Sequence, residues 1–287
     1  MSDLTGKIVM AIGCGTPDGQ VNNGFAAARA FLAAGARVCI VDRDPAALDH
    51  ARSALQTEGH LGAQASLEAD GHLGENGPDF TTIAADVSDE NSLAAAFAHC
   101  ADVLAAPTVL HYNVGIVVNG GLDTLDAAAF TTALDINLVG AFRAMKLALR
   151  HMREAGGGSI ITVSSVGGMR HMGYDYPAYA ASKAGLMELT KATALQHAHE
   201  GIRANSIAPG LIETPLIHGS ISGHYGSVEE MLAARHALSP TGRMGRPEDI
   251  AELAVFLASD VSAYINATVI PVDGGLIQQA ARPVVKG

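Results

Sequence analysis

Positive charge is scarce in this chain of 287 residues: 18 lysines and arginines stand against 29 aspartates and glutamates, a formal net charge of −11. An excess of that sign repels phosphate backbones and anionic headgroups, so no nucleic acid and no anionic membrane is expected as a partner. Long apolar runs are also missing, since none reaches the roughly 18 residues of a membrane helix. The longest candidate, around Ile250 to Ala258, is interrupted by Glu252. Cysteine is limited to Cys14, Cys39 and Cys100, odd in number and without metal-ligand spacing. That pattern points to a reducing, cytoplasmic setting instead of a disulfide framework. The opening residues Met1-Ser2-Asp3 lead quickly into a strand pattern, and no signal peptide is expected.

What is present describes a globular protein: 48% hydrophobic and 16% charged residues, in a length that suits one large α/β domain covering 1–287. Apolar runs at Ile8 to Ile12, Arg37 to Val41, Thr81 to Ala85, Thr108 to Tyr112, Ser159 to Val163, Ile202 to Ala208 and Thr268 to Val272 alternate with helical stretches. Strands that alternate with helices predict a Rossmann-type, doubly wound parallel sheet covered by helices on both faces, with ligands at the strands' C-terminal ends. Residues 59–79 interrupt the pattern with five glycines and Pro78, and read as a solvated insertion. The insertion repeats Gly-His-Leu-Gly at Gly59 to Gly62 and Gly71 to Gly74, but no carboxylate or cysteine stands at coordinating spacing, and no metal is expected.

The stretch Tyr179-Ala180-Ala181-Ser182-Lys183 carries the chemistry. Four residues along a helix bring the phenol and the ammonium onto one face. A free tyrosine titrates near ~10, so proton exchange at neutral pH needs a shift worth ~3 kcal/mol. An ammonium about 4 Å away, at an effective dielectric of about 20, offers on the order of 4 kcal/mol. Upstream, Ser164-Ser165 ends an apolar strand and presents hydroxyls to the same place.

Near the N-terminus, strand, glycine-rich loop and helix follow one another, the arrangement that aims backbone amides at a pyrophosphate. The loop runs from Gly13 to Gly24. Asp42 ends the second strand 18 residues after Gly24, where a carboxylate accepts from both adenosine ribose hydroxyls and repels a 2′-phosphate. Asp44-Pro45 already supplies the next helix with its cap, which leaves Asp42 available. NAD is therefore expected over NADP, with Arg43 as the residue that argues the other way.

These residues in this order resemble the short-chain dehydrogenase/reductase family, whose signature is a strand-end serine followed by Tyr-x-x-x-Lys. The resemblance runs from about Lys7 to Gly275. It implies that Tyr179 exchanges the hydroxyl proton, Lys183 holds the cofactor ribose and lowers the tyrosine pKa, and Ser165 hydrogen-bonds the substrate oxygen. Because the gap from Ser165 to Tyr179 is 14, one longer than the family pattern, Ser164 stays open as an alternative. The family's Thr-Gly-x-x-x-Gly-x-Gly is matched with Gly13 first, Gly24 last, and Asn22-Asn23 in place of the intervening residues. About five residues are added, and Asn22 is expected to adopt the left-handed backbone of the missing glycine.

By the same resemblance Asp86 and Val87 contact adenine, and Asn113-Val114-Gly115 replaces the usual Asn-Ala-Gly, with Tyr112 as a departure. Asn137 lies in an apolar helix from Ala127 to about Arg153. Such an asparagine is commonly a satisfied core group, but the resemblance makes it part of a proton relay at a local bend. Pro209, Gly210, Ile212 and Thr214 fall beside the nicotinamide. The segment 213–243, with Leu216, Ile217, His218, Tyr225, Met231 and Leu232, reads as a lid over a hydrophobic or cyclic substrate.

The expectation is thus an NAD-dependent oxidoreductase interconverting a secondary alcohol and a ketone, assembled as a homotetramer on the helices around Ala127 to Arg153 and Ala178 to Glu200. Two alternatives remain: a nucleotide sensor without turnover, and a reductase of an activated double bond.

Overall fold

The structure, a computed structural model, describes residues 2–62, 77–215 and 226–279. These form a seven-stranded parallel sheet: β1 (Ile8–Ile12), β2 (Arg37–Asp42), β3 (Phe80–Ala84), β4 (Val109–Tyr112), β5 (Gly158–Val163), β6 (Ile202–Pro209) and β7 (Val269–Val272). Their order across the sheet is β3-β2-β1-β4-β5-β6-β7. Each strand is apolar on both faces because helices cover both. In β1, Val9 and Ala11 enter one core cluster with Phe25, Phe31, Leu48 and Ile250, while Ile8, Met10 and Ile12 enter the other with Phe97, Leu110 and Met145. Burial on both sides explains why the strands read as continuous apolar runs.

The helices are α1 (Asn23–Ala33), α2 (Pro45–Thr57), α3 (Glu90–Val103), α4 (Ala127–Leu134), α5 (Gly140–Glu154), α6 (Pro177–His197), α7 (Val228–Leu238) and α8 (Pro247–Ala258). Several starts follow side-chain caps: Asp44 accepts from Ala46 N at 3.0 Å, and Asp89 accepts from Asn91 N at 2.8 Å. Between α4 and α5 the chain forms a π-helical turn, Asp135–Val139, so the single helix expected from Ala127 to about Arg153 is two helices joined through that turn. Asn137 sits inside it.

Strand order reverses between β1 and β4, the switch point where the C-terminal ends of a parallel sheet open into a crevice. There Asn113 Nδ2 donates to Gly13 O at 3.0 Å, joining the loops that follow the two strands. The insertion at 59–79 rejoins the sheet through a bridge between Gly62 and Phe80; its central residues, 63–76, lie outside the described residues, as do residues 216–225 of the segment read as a lid.

Candidate active site

A cleft of about 640 Å³ opens above the strand ends. Gly13, Asn22, Asn23, Asp42, Arg43, Asp86, Val87, Asn113 and Gly115 line one part of it, and Ser165, Tyr179, Lys183, Pro209, Gly210, Ile212 and Thr214 line the rest. Two residues expected at the site stand just behind its wall: Gly24 and Asn137.

Gly24 is required by close approach. A Cβ there would overlap the Gly13 carbonyl oxygen and come within 2.7 Å of Asn113 Nδ2. Gly13 itself adopts φ +77 with Val114 where its Cβ would be. The intervening asparagine acts otherwise than expected. Asn22 has φ −112 and ψ 175, extended and not left-handed. It is the N-cap of α1: its side chain accepts from Phe25 N at 2.9 Å and donates to Gly15 O at 2.8 Å. The left-handed positions of the lengthened loop are Gly13, Asp18 and Gly19. At this point of the loop the turn is made by a capping side chain.

These loops fit a dinucleotide. Asn23 Oδ1, at the first turn of α1, is buried with no hydrogen-bond partner among the described residues, a vacancy of pairing that a ligand donor would fill. The N-terminus of α1 presents backbone N–H groups to the same loop. Asp42 accepts from Gly15 N at 3.0 Å and from Asp44 N at 3.2 Å, which fixes its carboxylate at the cleft. Asp86 accepts from Ser88 N at 2.8 Å and Ser88 Oγ at 2.7 Å, and those bonds hold its carboxyl below the usual range. A Cβ on Gly115 would stand 2.8 Å from Lys183 Nζ, so only glycine leaves the ammonium its place.

The two serines divide their work. Ser164 Oγ donates to Ile207 O at 3.0 Å and is buried, while Ser165 Oγ accepts from Gly167 N at 3.0 Å and stands with Tyr179 on the cleft wall. Lys183 is buried with its Nζ donating to Val163 O at 2.9 Å and Val114 O at 3.2 Å, 5.8 Å from the centre of the Tyr179 ring. Burial pulls its pKa down to about 8. Burial also pushes the Tyr179 phenol up, outweighing the opposite pull of the nearby Ser165 hydroxyl. The acidified tyrosine expected from the four-residue spacing is not what the protein alone displays. The ammonium is engaged by two carbonyls, and desolvation of the phenol dominates.

Asn137 ties the π-turn to this cluster. Its Oδ1 accepts from Ile116 N at 2.8 Å, and its Nδ2 donates to Ile116 O and to Ser182 Oγ, both at 3.0 Å. Ser182 Oγ in turn donates to Tyr179 O at 2.8 Å. Sequence reasoning did not find Tyr174, Tyr176 or Arg235, which also line the cleft. The tyrosines stand two apart just before α6, where a tight turn, with Tyr176 N donating to Tyr174 O at 3.1 Å, stacks their rings.

The family model described as Enoyl-(Acyl carrier protein) reductase matches residues 23–277. The cis-4-hydroxycyclohexanecarboxylate dehydrogenase of Sinomonas cyclohexanicum is 37% identical over 253 residues, 88% of this chain and 91% of that protein. A Burkholderia xenovorans structure classed with the short-chain dehydrogenase/reductases superposes with a TM-score of 0.87 at 32% identity, covering 98% of this chain and 100% of that one. The chain belongs to the short-chain dehydrogenase/reductase family. Levodione reductase of Leifsonia aquatica, 32% identical over 280 residues, covers 95% of this chain and 94% of its own length. As a short-chain dehydrogenase/reductase the protein is an oxidoreductase of CH–OH groups that uses a nicotinamide nucleotide.

Proposed function

We propose that this chain interconverts a cyclic or otherwise hydrophobic secondary alcohol and its ketone with NAD(H). The observation that carries the reading is the convergence of Ser165 and Tyr179 on the cleft wall, with the buried Lys183 ammonium behind them. A nicotinamide dinucleotide, when bound, supplies the hydride acceptor for oxidation or the donor for reduction. Gly13, Asn23, Gly24 and the start of α1 would hold its pyrophosphate, Asp42 would take the ribose hydroxyls, and Asp86 and Val87 would line the adenine site. Asn113 and Gly115 keep the wall low, while Pro209, Gly210, Ile212 and Thr214 flank the carboxamide.

In the oxidation Ser165 orients the substrate oxygen and Tyr179 takes its proton, leaving the electron pair that forms the ketone. Lys183 and Asn137 stabilise the phenolate and pass the proton outward. In the ribose-bound state Lys183 gains a partner beside Tyr179, and the phenol becomes easier to ionise. The relatives named for hydroxycyclohexanecarboxylate and levodione support a cyclic substrate. The carboxylate of Asp42 supports NAD, as it disfavours a 2′-phosphate. The segment 213–243 serves as the lid, and the exposed Val139, Phe142 and Leu195 on the α4–α5 and α6 surfaces support a homotetramer built there. The reducing state of three free cysteines supports a cytoplasmic location.

Absorbance at 340 nm with a panel of cyclic secondary alcohols, run with NAD and with NADP, tests this reading. Hydride transfer with NAD supports it. Binding of NADH with no turnover of any alcohol would make the protein a sensor. Reduction of an activated double bond is a second reading, favoured by the description of the matching family model. The close Tyr-x-x-x-Lys spacing argues against it, and product analysis with a cyclic enone separates a saturated ketone from an allylic alcohol.

A further inference from the structure

Arg235 lies on α7, 3% exposed, and lines the cleft. Its Nε donates to Met244 Sδ at 3.4 Å and its Nη1 to Tyr174 Oη at 3.2 Å, a thioether and a phenol that carry no charge. Among the described residues no carboxylate forms an ion pair with it. Buried charges are ordinarily paired, since desolvation of a lone guanidinium is unfavourable.

Its place relative to the proton-exchanging group is defined by a ladder of rings. Tyr179 meets Tyr176 edge-on with centroids 5.3 Å apart, Tyr176 stacks on Tyr174 at 5.6 Å, and Tyr174 meets the guanidinium. The carboxylates that line the cleft, Asp18, Asp42 and Asp86, stand on the glycine-loop, β2 and β3 side. Arg235 contacts Met244 instead, which clusters with Leu211 just after β6. Arg235 thus lines the cleft on its substrate side, joined to Tyr179 through the rings of Tyr174 and Tyr176.

We propose that the substrate is a hydroxy or oxo acid whose carboxylate is bound by Arg235, with the reacting carbon several bonds away across a ring or short chain. This rests on the oxidoreductase reading above and names the substrate class for it. A planar carboxylate matches the guanidinium fork, and the neutral tyrosines beside it pack against the apolar body between the two ends.

The test is calorimetric titration of the full-length protein, with and without NADH, using cyclohexanecarboxylate and the neutral isostere cyclohexanecarboxamide. The acid is expected to bind at least tenfold more tightly than the amide. Arg235→Gln should weaken the acid on the order of a hundredfold and leave the amide unchanged, with Arg235→Lys between them. Equal binding of acid and amide overturns the proposal. So does binding of neither, the result expected if a carboxylate of this chain or of a second copy already occupies the guanidinium. Because wild-type protein alone makes the acid-against-amide comparison, a poorly folding variant does not remove the test. Tight acid binding combined with no hydride transfer to any alcohol would leave the anion site standing and sink the oxidoreductase reading instead.

Discussion

The Tyr112 phenol donates to the Ile136 carbonyl oxygen at 2.7 Å, tying the end of β4 to the π-turn that carries Asn137. The phenol is fully buried, and that burial pushes its pKa well above the ordinary tyrosine value, so it remains a donor. Gly140 makes the contact possible: a Cβ there would stand 2.6 Å from Tyr112 Oη and 2.9 Å from Val87 Cβ. Tyr112→Phe is expected to cost roughly 1–3 kcal/mol of stability by leaving the carbonyl unpaired. It should also lower kcat while leaving KM for the dinucleotide unchanged, because Asn137 moves and the cofactor loops do not. Gly140→Ala should destabilise the native tyrosine background more than the phenylalanine one, since removing the hydroxyl relieves the overlap. Additive losses in denaturant melts of the double variant would contradict this coupling.

The NAD reading makes Asp42 the residue that decides cofactor choice. The side chain ends β2 and is oriented by Gly15 N and Asp44 N. Asp42→Ala is expected to lower the ratio of kcat/KM for NAD over NADP by about tenfold or more, as the ribose acceptor and the repulsion of a 2′-phosphate disappear together. Steady-state kinetics with both dinucleotides measures it, and an unchanged ratio would place the discrimination elsewhere.

His111 sets a pH dependence of stability. The ring is fully buried on β4, against Phe31 and 3.9 Å from Cys14 Sγ, and its Nε2 has no partner among the described residues. Burial lowers its pKa to about 4 from an ordinary 6.5. Between those values the unfolded chain binds a proton that the folded chain refuses. Stability therefore falls as pH drops from about 6.5 to about 4, by ~3 kcal/mol from this group. Denaturant melts of wild type and His111→Leu at pH 7 and pH 4 should differ in pH sensitivity by about that amount. Parallel losses would assign the effect to other groups.

Assembly is tested on the α5 surface. Phe142 is 52% exposed and Leu195 71%, large apolar side chains on the helices assigned to the tetramer. Sedimentation should give a tetramer for the wild type and smaller species for Phe142→Asp. A wild-type monomer, or a variant that stays tetrameric, would exclude this face.

The parallel sheet was legible because burial on both faces makes each strand a continuous apolar run, and cap residues such as Asp44 and Asp89 mark where helices start. Ser165, Tyr179 and Lys183 were legible from type and spacing, and the structure brings them together on one wall. The lengthened loop was only half legible. Its two outer glycines follow from close approach, but Asn22 works through a side-chain cap that no backbone pattern announces. The π-turn was visible only as an asparagine on an apolar face, and Tyr112 has no local signal because its partner lies 24 residues away. Arg235 was hidden for the same reason: nothing near it in sequence says that the charge points inward without a counter-ion.

The claim on which the account depends is that the Tyr179 phenol exchanges the substrate proton. Single-turnover absorbance at 340 nm, wild type against Tyr179→Phe with saturating NAD and an alcohol the wild type oxidises, measures it most directly. The rate of hydride transfer should fall by at least about a hundredfold with dinucleotide binding preserved. A variant that transfers hydride at the wild-type rate would contradict it.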